Sequence, residues 1–239
     1  LEFCGGAICA VASERKHGGE WLLAFEEPES LKERLEKFGL PPLPPYIKRN
    51  NTSEIQNAED RERYQTCFAS KPGAIAAPTA GLHFTPEILD SISSRGVEIL
   101  EVTLHVGLGT FKPIEKEDIR EHNMHSEYFS ISSNSLSKLQ SFKKSRRPII
   151  CLGTTSVRVL ETLAQNNFEN NSGWTDLFIY PPYNFSMVQG LFTNFHLPKS
   201  TLLIMVSAFY GRKKLLEAYC AAVEEKYRFF SYGDCMLIL

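Results

Sequence analysis

From Ala74 onward the chain keeps one rhythm, short apolar runs alternating with amphipathic stretches of helical period. No other feature limits the possible folds so strongly. Residues 74–77, 97–106, 148–152 and 177–180 read as strands. Helices are predicted between and after them. The first is opened by Thr85 and Pro86 as N-cap and first-turn proline and closed by Gly96. Others cover 134–145, 155–165 with Val157, Leu160 and Ala164 inward, and then 200–209 and 213–227, parted by Gly211. Strands alternating with helices predict an α/β fold, a mainly parallel sheet with helices on both faces.

The first forty residues do not share that rhythm. Residues 7–13 and 20–26 alternate as two strands around Lys16-His17-Gly18-Gly19, an antiparallel hairpin. A short helix follows with Leu31, Leu35 and Phe38 on one face and Gly39 as its stop. Pro41-Pro42-Leu43-Pro44-Pro45 is then a semi-rigid segment and the best place for a boundary. The expected organisation is a remnant of an antiparallel domain over 1–40 and an α/β catalytic domain over 41–239. The chain opens on Leu1-Glu2 with neither an initiator Met nor a signal-peptide pattern, which reads as a truncation that removed the hairpin's partners.

Six cysteines are scattered without a Cys-x-x-Cys pair, as in a reduced cytoplasmic protein rather than a disulfide or zinc framework. The longest apolar run, residues 202–210, is about half of what a bilayer requires, so no membrane partner is expected. A net charge of −2 weighs against a broad phosphate-binding surface, although Lys143-Lys144-Ser145-Arg146-Arg147 and Arg212-Lys213-Lys214 are locally basic. His122 and His125 stand three apart in a polar stretch without the helical zinc pattern, and no metal is expected.

In an open α/β sheet, ligands bind where loops leave the carboxyl ends of the strands. Four such loops hold unusual residues: Thr79-Ala80-Gly81-Leu82-His83, His105 through Phe111, Gly153-Thr154-Thr155-Ser156-Val157-Arg158, and Tyr180-Pro181-Pro182-Tyr183. The third leads from strand to helix, so its hydroxyls either cap the helix or, with its free N–H groups, hold an anion. Arg158 could pair with Glu161 or reach a ligand. His83 and His105 are either ordinary hydrogen-bonded histidines or proton-transfer groups. Asn194 and His196 precede a helix start, where polar groups cap or bind. Residues 228–234 combine aromatics with a charged pair, either a core strand with Asp234 at a turn or a platform for a base.

Taken in order, several strings resemble the S-adenosylmethionine:tRNA ribosyltransferase-isomerases of queuosine biosynthesis. They are Leu43-Pro44-Pro45-Tyr46-Ile47, Tyr64-Gln65-Thr66, Ala77 through Phe84, Leu104 through Gly107 with Gly109-Thr110-Phe111, and Met124-His125-Ser126-Glu127. Gly153 through Arg158, Thr193 through Pro198 and Tyr227 through Asp234 complete the set. Pro182 and Gln189 stand where that family usually has Gly and Asp.

The resemblance implies an α/β domain joined to a β-barrel domain, of which only the barrel's end is present. It also implies a reaction: the ribosyl part of S-adenosylmethionine moves to a 7-aminomethyl-7-deazaguanine at the tRNA wobble position, giving epoxyqueuosine with release of adenine and methionine. S-adenosylmethionine would serve as co-substrate with no other cofactor, the tRNA anticodon loop as partner, and the protein as a cytoplasmic monomer. Within that chemistry His83 and His105 are candidates for the base that takes the ribose 5′ proton, and Asp234 or Glu127 for the acid that assists adenine departure. Thr154, Thr155 and Arg158 would stabilise oxyanions, Asn194 and His196 would read the deazaguanine or the methionyl group, and Thr79, Gly81 and Tyr232 would complete the substrate site. Two other classes fit less well: a methyltransferase, which lacks its glycine-rich turn here, and a tRNA-binding module without chemistry.

Overall fold

The computed structural model describes residues 1–16, 19–49, 54–107 and 114–239, and the side chains of all of these except 54–56. The turn at His17-Gly18 and the segment holding Gly109-Thr110-Phe111 lie outside the described residues. Two compact units emerge, one of Leu1–Pro41 with Asn50–Arg61, the other of Pro42–Arg49 with Glu62–Leu239.

In the first unit, β1 (Glu2–Phe3), β2 (Ile8–Arg15) and β3 (Trp21–Phe25) form an antiparallel sheet in that order. A bulge between Ala12 and Glu14 shifts the β2–β3 register by one residue. It re-aims the strand tip. Ile8 and Ala10 are the buried side of β2. Helix α1 (Leu31–Phe38) reaches that sheet through Arg34, whose Nη1 donates to the Ala7 carbonyl at 2.7 Å. Helix α2 (Glu54–Arg63) is tied to the end of α1 by Arg61, which donates to the carbonyls of Lys37 and Gly39. Those are among the acceptors a helix terminus leaves unsatisfied. Three strands do not close, and no closed barrel exists among the described residues.

The second unit departs from the mainly parallel sheet that the strand–helix rhythm predicts. Its strands form two three-stranded sheets. The first contains β4 (Val102–His105), β5 (Glu127–Ile131) and β7 (Ser172–Thr175), all antiparallel. The second contains β6 (Ile150–Leu152), β8 (Gly190–Asn194) and β9 (Cys235–Ile238); only β6 with β8 is parallel. Residues 74–77 contribute one backbone hydrogen bond, Ile75 N–H to the Val106 carbonyl, and no strand. Residues 177–180 are not a strand either. They bury Ile179 and run into Pro181-Pro182, which offers no N–H for a ladder.

The helices fall close to their expected positions: α3 (Pro86–Ser94), α4 (Ser133–Ser145), α5 (Gly153–Gln165), α6 (Thr201–Tyr210) and α7 (Arg212–Glu224). Thr85, Ser132 and Ser200 cap α3, α4 and α6 through their hydroxyls. The core forms around α5, which packs against β4 and β7 of one sheet and β6 and β8 of the other. Ten of its residues are buried, among them Val157, Val159 and Leu163. Burying both faces of one helix is what welds the two sheets together. No described helix is long and apolar enough to cross a membrane.

Candidate active site

Strand β6 ends at Leu152, and Gly153 turns the chain into α5 at φ +83. A side chain there would be strained, so glycine permits the abrupt junction. No side chain caps the helix. The Ser156 hydroxyl donates backwards to the Leu152 carbonyl at 2.8 Å instead. The first N–H groups of α5 thus emerge beside Thr154 and Thr155 with no side-chain acceptor among the described residues. Parallel to β6, strand β8 ends at Asn194, and the 3-10 turn Thr79–His83 packs on both β8 and α5. Gly81 sits tightly in that turn: a Cβ there would lie 2.6 Å from the Phe68 ring and 2.8 Å from the Thr66 methyl, and those side chains would have to shift.

These elements surround a cavity of about 400 Å³, a size suited to a small molecule. Thr79, Thr154, Thr155, Asn194 and His196 stand on its wall, five of the residues expected from sequence. Tyr46, Val106, Phe230 and Ser231 also line it. Tyr46 belongs to a string that carries the family resemblance, but nothing in its own surroundings in sequence marks it as a site residue. Its hydroxyl meets the Ser231 hydroxyl at 2.6 Å. Burial raises the Tyr46 phenol above its usual range, so it remains protonated.

Polar groups on this wall are chained together, and the chain runs on through Asn194 to His83, which is not itself a wall residue. Thr79 Oγ1 donates to Asn194 Oδ1 at 3.4 Å, while Asn194 Nδ2 reaches the Phe230 carbonyl at 3.1 Å and His83 Nε2 at 3.2 Å. Burial lowers the His83 imidazole, outweighing the nearby Asp234 carboxylate that raises it. His196 is held by Thr193, whose Oγ1 lies 2.8 Å from Nε2, and burial brings it down to about 4. Both imidazoles are neutral near pH 7.

The remaining candidates are not on the wall. Arg158 is paired with Glu127, not with Glu161, and both lie buried. Arg158 Nη2 also donates to the Thr175 carbonyl, and Glu127 Oε1 accepts the Gly107 N–H at 2.9 Å. The pair ties β5, β7 and the end of β4 to α5. Glu161, fully buried, instead accepts the N–H groups of Ser186, Met187 and Val188, and the hydroxyl of Tyr183 in the fourth loop. That loop therefore braces the middle of α5. His105 stacks on Tyr128 at 6.0 Å with its Nδ1 against Gly73, where a Cβ would come within 2.7 Å. Tyr232 packs edge-on to Tyr64 under the Arg63 guanidinium.

Asp234 accepts from the Arg228 N–H at 2.7 Å and from its guanidinium at 3.1 Å. Those hydrogen bonds hold its carboxyl below the ordinary range. They also close the loop that presents Phe230 and Ser231. Gly233 is obligatory there, since a Cβ would stand 2.4 Å from two carbonyl oxygens. His122 lies edge-on to Phe178, and no group of three potential metal ligands occurs among the described residues.

Several known proteins share this arrangement of sequence. The chain is 54% identical over 211 residues to an S-adenosylmethionine:tRNA ribosyltransferase-isomerase of Sulfurihydrogenibium, covering 88% of this chain and 61% of that protein. It is 50% identical over 238 residues to the protein of the same name from Acetivibrio thermocellus, covering 99% and 68% respectively. Among solved structures, the S-adenosylmethionine tRNA ribosyltransferase of Thermotoga maritima matches with a TM-score of 0.55 at 34% identity, covering 98% of this chain and 62% of that one. This chain thus spans roughly two thirds of the length of the relatives it matches. The family model described as "Queuosine biosynthesis protein" matches residues 1–238, and the chain belongs to that family.

Proposed function

We propose that this chain carries the S-adenosylmethionine site and the ribosyl-transfer chemistry of an S-adenosylmethionine:tRNA ribosyltransferase-isomerase. One observation carries the reading: a single cavity joins the side-chain-uncapped start of α5, the Thr154 and Thr155 hydroxyls and the Thr79–Asn194 chain. Each of these suits a stage of the reaction. The start of α5 offers N–H groups and a positive dipole end to an anion, either the methionyl carboxylate or an oxyanion formed as the ribose opens. Neutral His196 and the Asn194 amide oxygen, which keeps a second lone pair, offer hydrogen-bonding groups without added charge to the deazaguanine ring.

The assignment of acids and bases follows the electrostatics. Asp234, ionised and clamped by Arg228, serves better to offset the sulfonium charge than to donate a proton. Glu127 and Arg158 support β5 and α5 from beneath. The tRNA would present its wobble base unstacked, because an in-stack base cannot enter a cavity of this size.

The test is the fate of label. With full-length protein and tRNA carrying 7-aminomethyl-7-deazaguanine, label in the ribose of S-adenosylmethionine should enter the tRNA and label in its methyl group should not. Methyl label in the tRNA would establish a methyltransferase and end this reading. Unchanged S-adenosylmethionine would leave a binding module.

A further inference from the structure

The polar chain on the cavity wall determines where the proton sits on His83. Asn194 Nδ2 lies 3.1 Å from the Phe230 carbonyl, which can only accept. That fixes the orientation of the amide: nitrogen toward Phe230, oxygen toward Thr79, whose hydroxyl donates to it. A primary amide nitrogen has two hydrogens, and the second points along the 3.2 Å contact to His83 Nε2. Nε2 must then accept, so the proton of the neutral ring resides on Nδ1. The opposite tautomer would set two N–H groups against each other.

Resting on the functional reading above, we propose that Asn194 is a positioning residue that holds His83 as the Nδ1–H tautomer. His83 then enters the reaction as a hydrogen-bond donor and not as the base that takes the ribose 5′ proton. Its only lone pair is already committed to Asn194. Taking up a proton at Nε2 would break that bond and place a cation against the amide hydrogen. The surroundings agree. The Asp234 carboxylate lies within electrostatic reach of the ring, and Phe192 lies edge-on at 6.2 Å. Arg228, the other charge that the ring senses, is neutralised by Asp234. An Nδ1–H donor suits either the departing adenine or a ring-opened oxyanion. Thr79, having spent its hydrogen on Asn194, presents only acceptor capacity to the cavity.

Two measurements decide the matter. Nitrogen-15 spectra of the histidine rings in the full chain near pH 7 should show His83 with a protonated Nδ1 and a bare Nε2. In Asn194→Asp the carboxylate accepts instead of donating, and the pattern should reverse. A wild-type His83 protonated on Nε2 overturns the proposal, with or without turnover. The second is adenine release by two isosteres in the full-length protein. His83→Gln keeps an acceptor facing Asn194 but no donor at the Nδ1 position, and should lose about 100-fold in rate. His83→Asn, which restores an N–H near Nδ1, should recover part of it. A His83→Gln rate equal to wild type overturns the donor role. If the spectra agree but the wild type itself releases no adenine, the functional reading fails while the tautomer assignment stands.

Discussion

Glu127 and Arg158 each have side chains about 95% buried, and each is the other's charge partner. A buried pair adds little over an apolar pair of the same shape, but losing one member strands the other. Glu127→Gln should therefore cost about 3–5 kcal/mol in urea-induced unfolding, and a joint Glu127→Leu, Arg158→Met replacement distinctly less. Equal losses in the two variants would show that the pair does not act as a unit. His196 gives a pH signature of a different kind. Its folded value of about 4 lies below that of an unfolded histidine, about 6.5. As pH falls from about 6.5 to about 4, the unfolded chain takes up a proton that the folded chain refuses, so stability is complete above that window and declines within it. Carboxylates titrate in the lower part of the window, so the comparison is with His196→Gln. That variant should lose less stability between pH 7 and pH 5 than wild type, and parallel curves would contradict the assignment.

At the scale of elements, what can be read from sequence depends on how local the signal is. Helix α3 announces itself through Thr85, a cap that acts within three residues, and Ser132 and Ser200 play the same part for α4 and α6 in the structure. Strand β5 does not. Its buried side is Glu127, Phe129 and Ile131, and a buried carboxylate in an alternating pattern reads as solvent-facing until its partner, 31 residues on, is known. Strands β8 and β9 are short, and β8 is buried on both faces, so neither shows a period-2 pattern. Hence the mixed sheets looked parallel from sequence: four-residue antiparallel strands give no direction of their own. The cavity followed the same rule. Thr154 and Thr155 at a strand–helix junction, and Asn194 and His196 just before a helix start, are recognisable by position. Ser231 and Tyr46 meet across 185 residues, and nothing local connects them.

For the whole molecule, the cavity belongs entirely to the second unit, whose residues from Pro45 to Ser231 supply its walls and whose elements from β4 to β9 supply the core. The first unit contributes a three-stranded sheet and two helices with their own tethers through Arg34 and Arg61. Only the chemistry of the cavity bears on whether this is a ribosyl-transfer site. The most direct measurement is adenine released per S-adenosylmethionine consumed by the full-length protein, with and without tRNA carrying the aminomethyl-deazaguanine base. The account predicts one adenine for each co-substrate consumed, only when that tRNA is present, with the rate of release falling about 100-fold or more when the donor at His83 is removed. Adenosylhomocysteine in place of adenine, or adenine release indifferent to the tRNA, would contradict it.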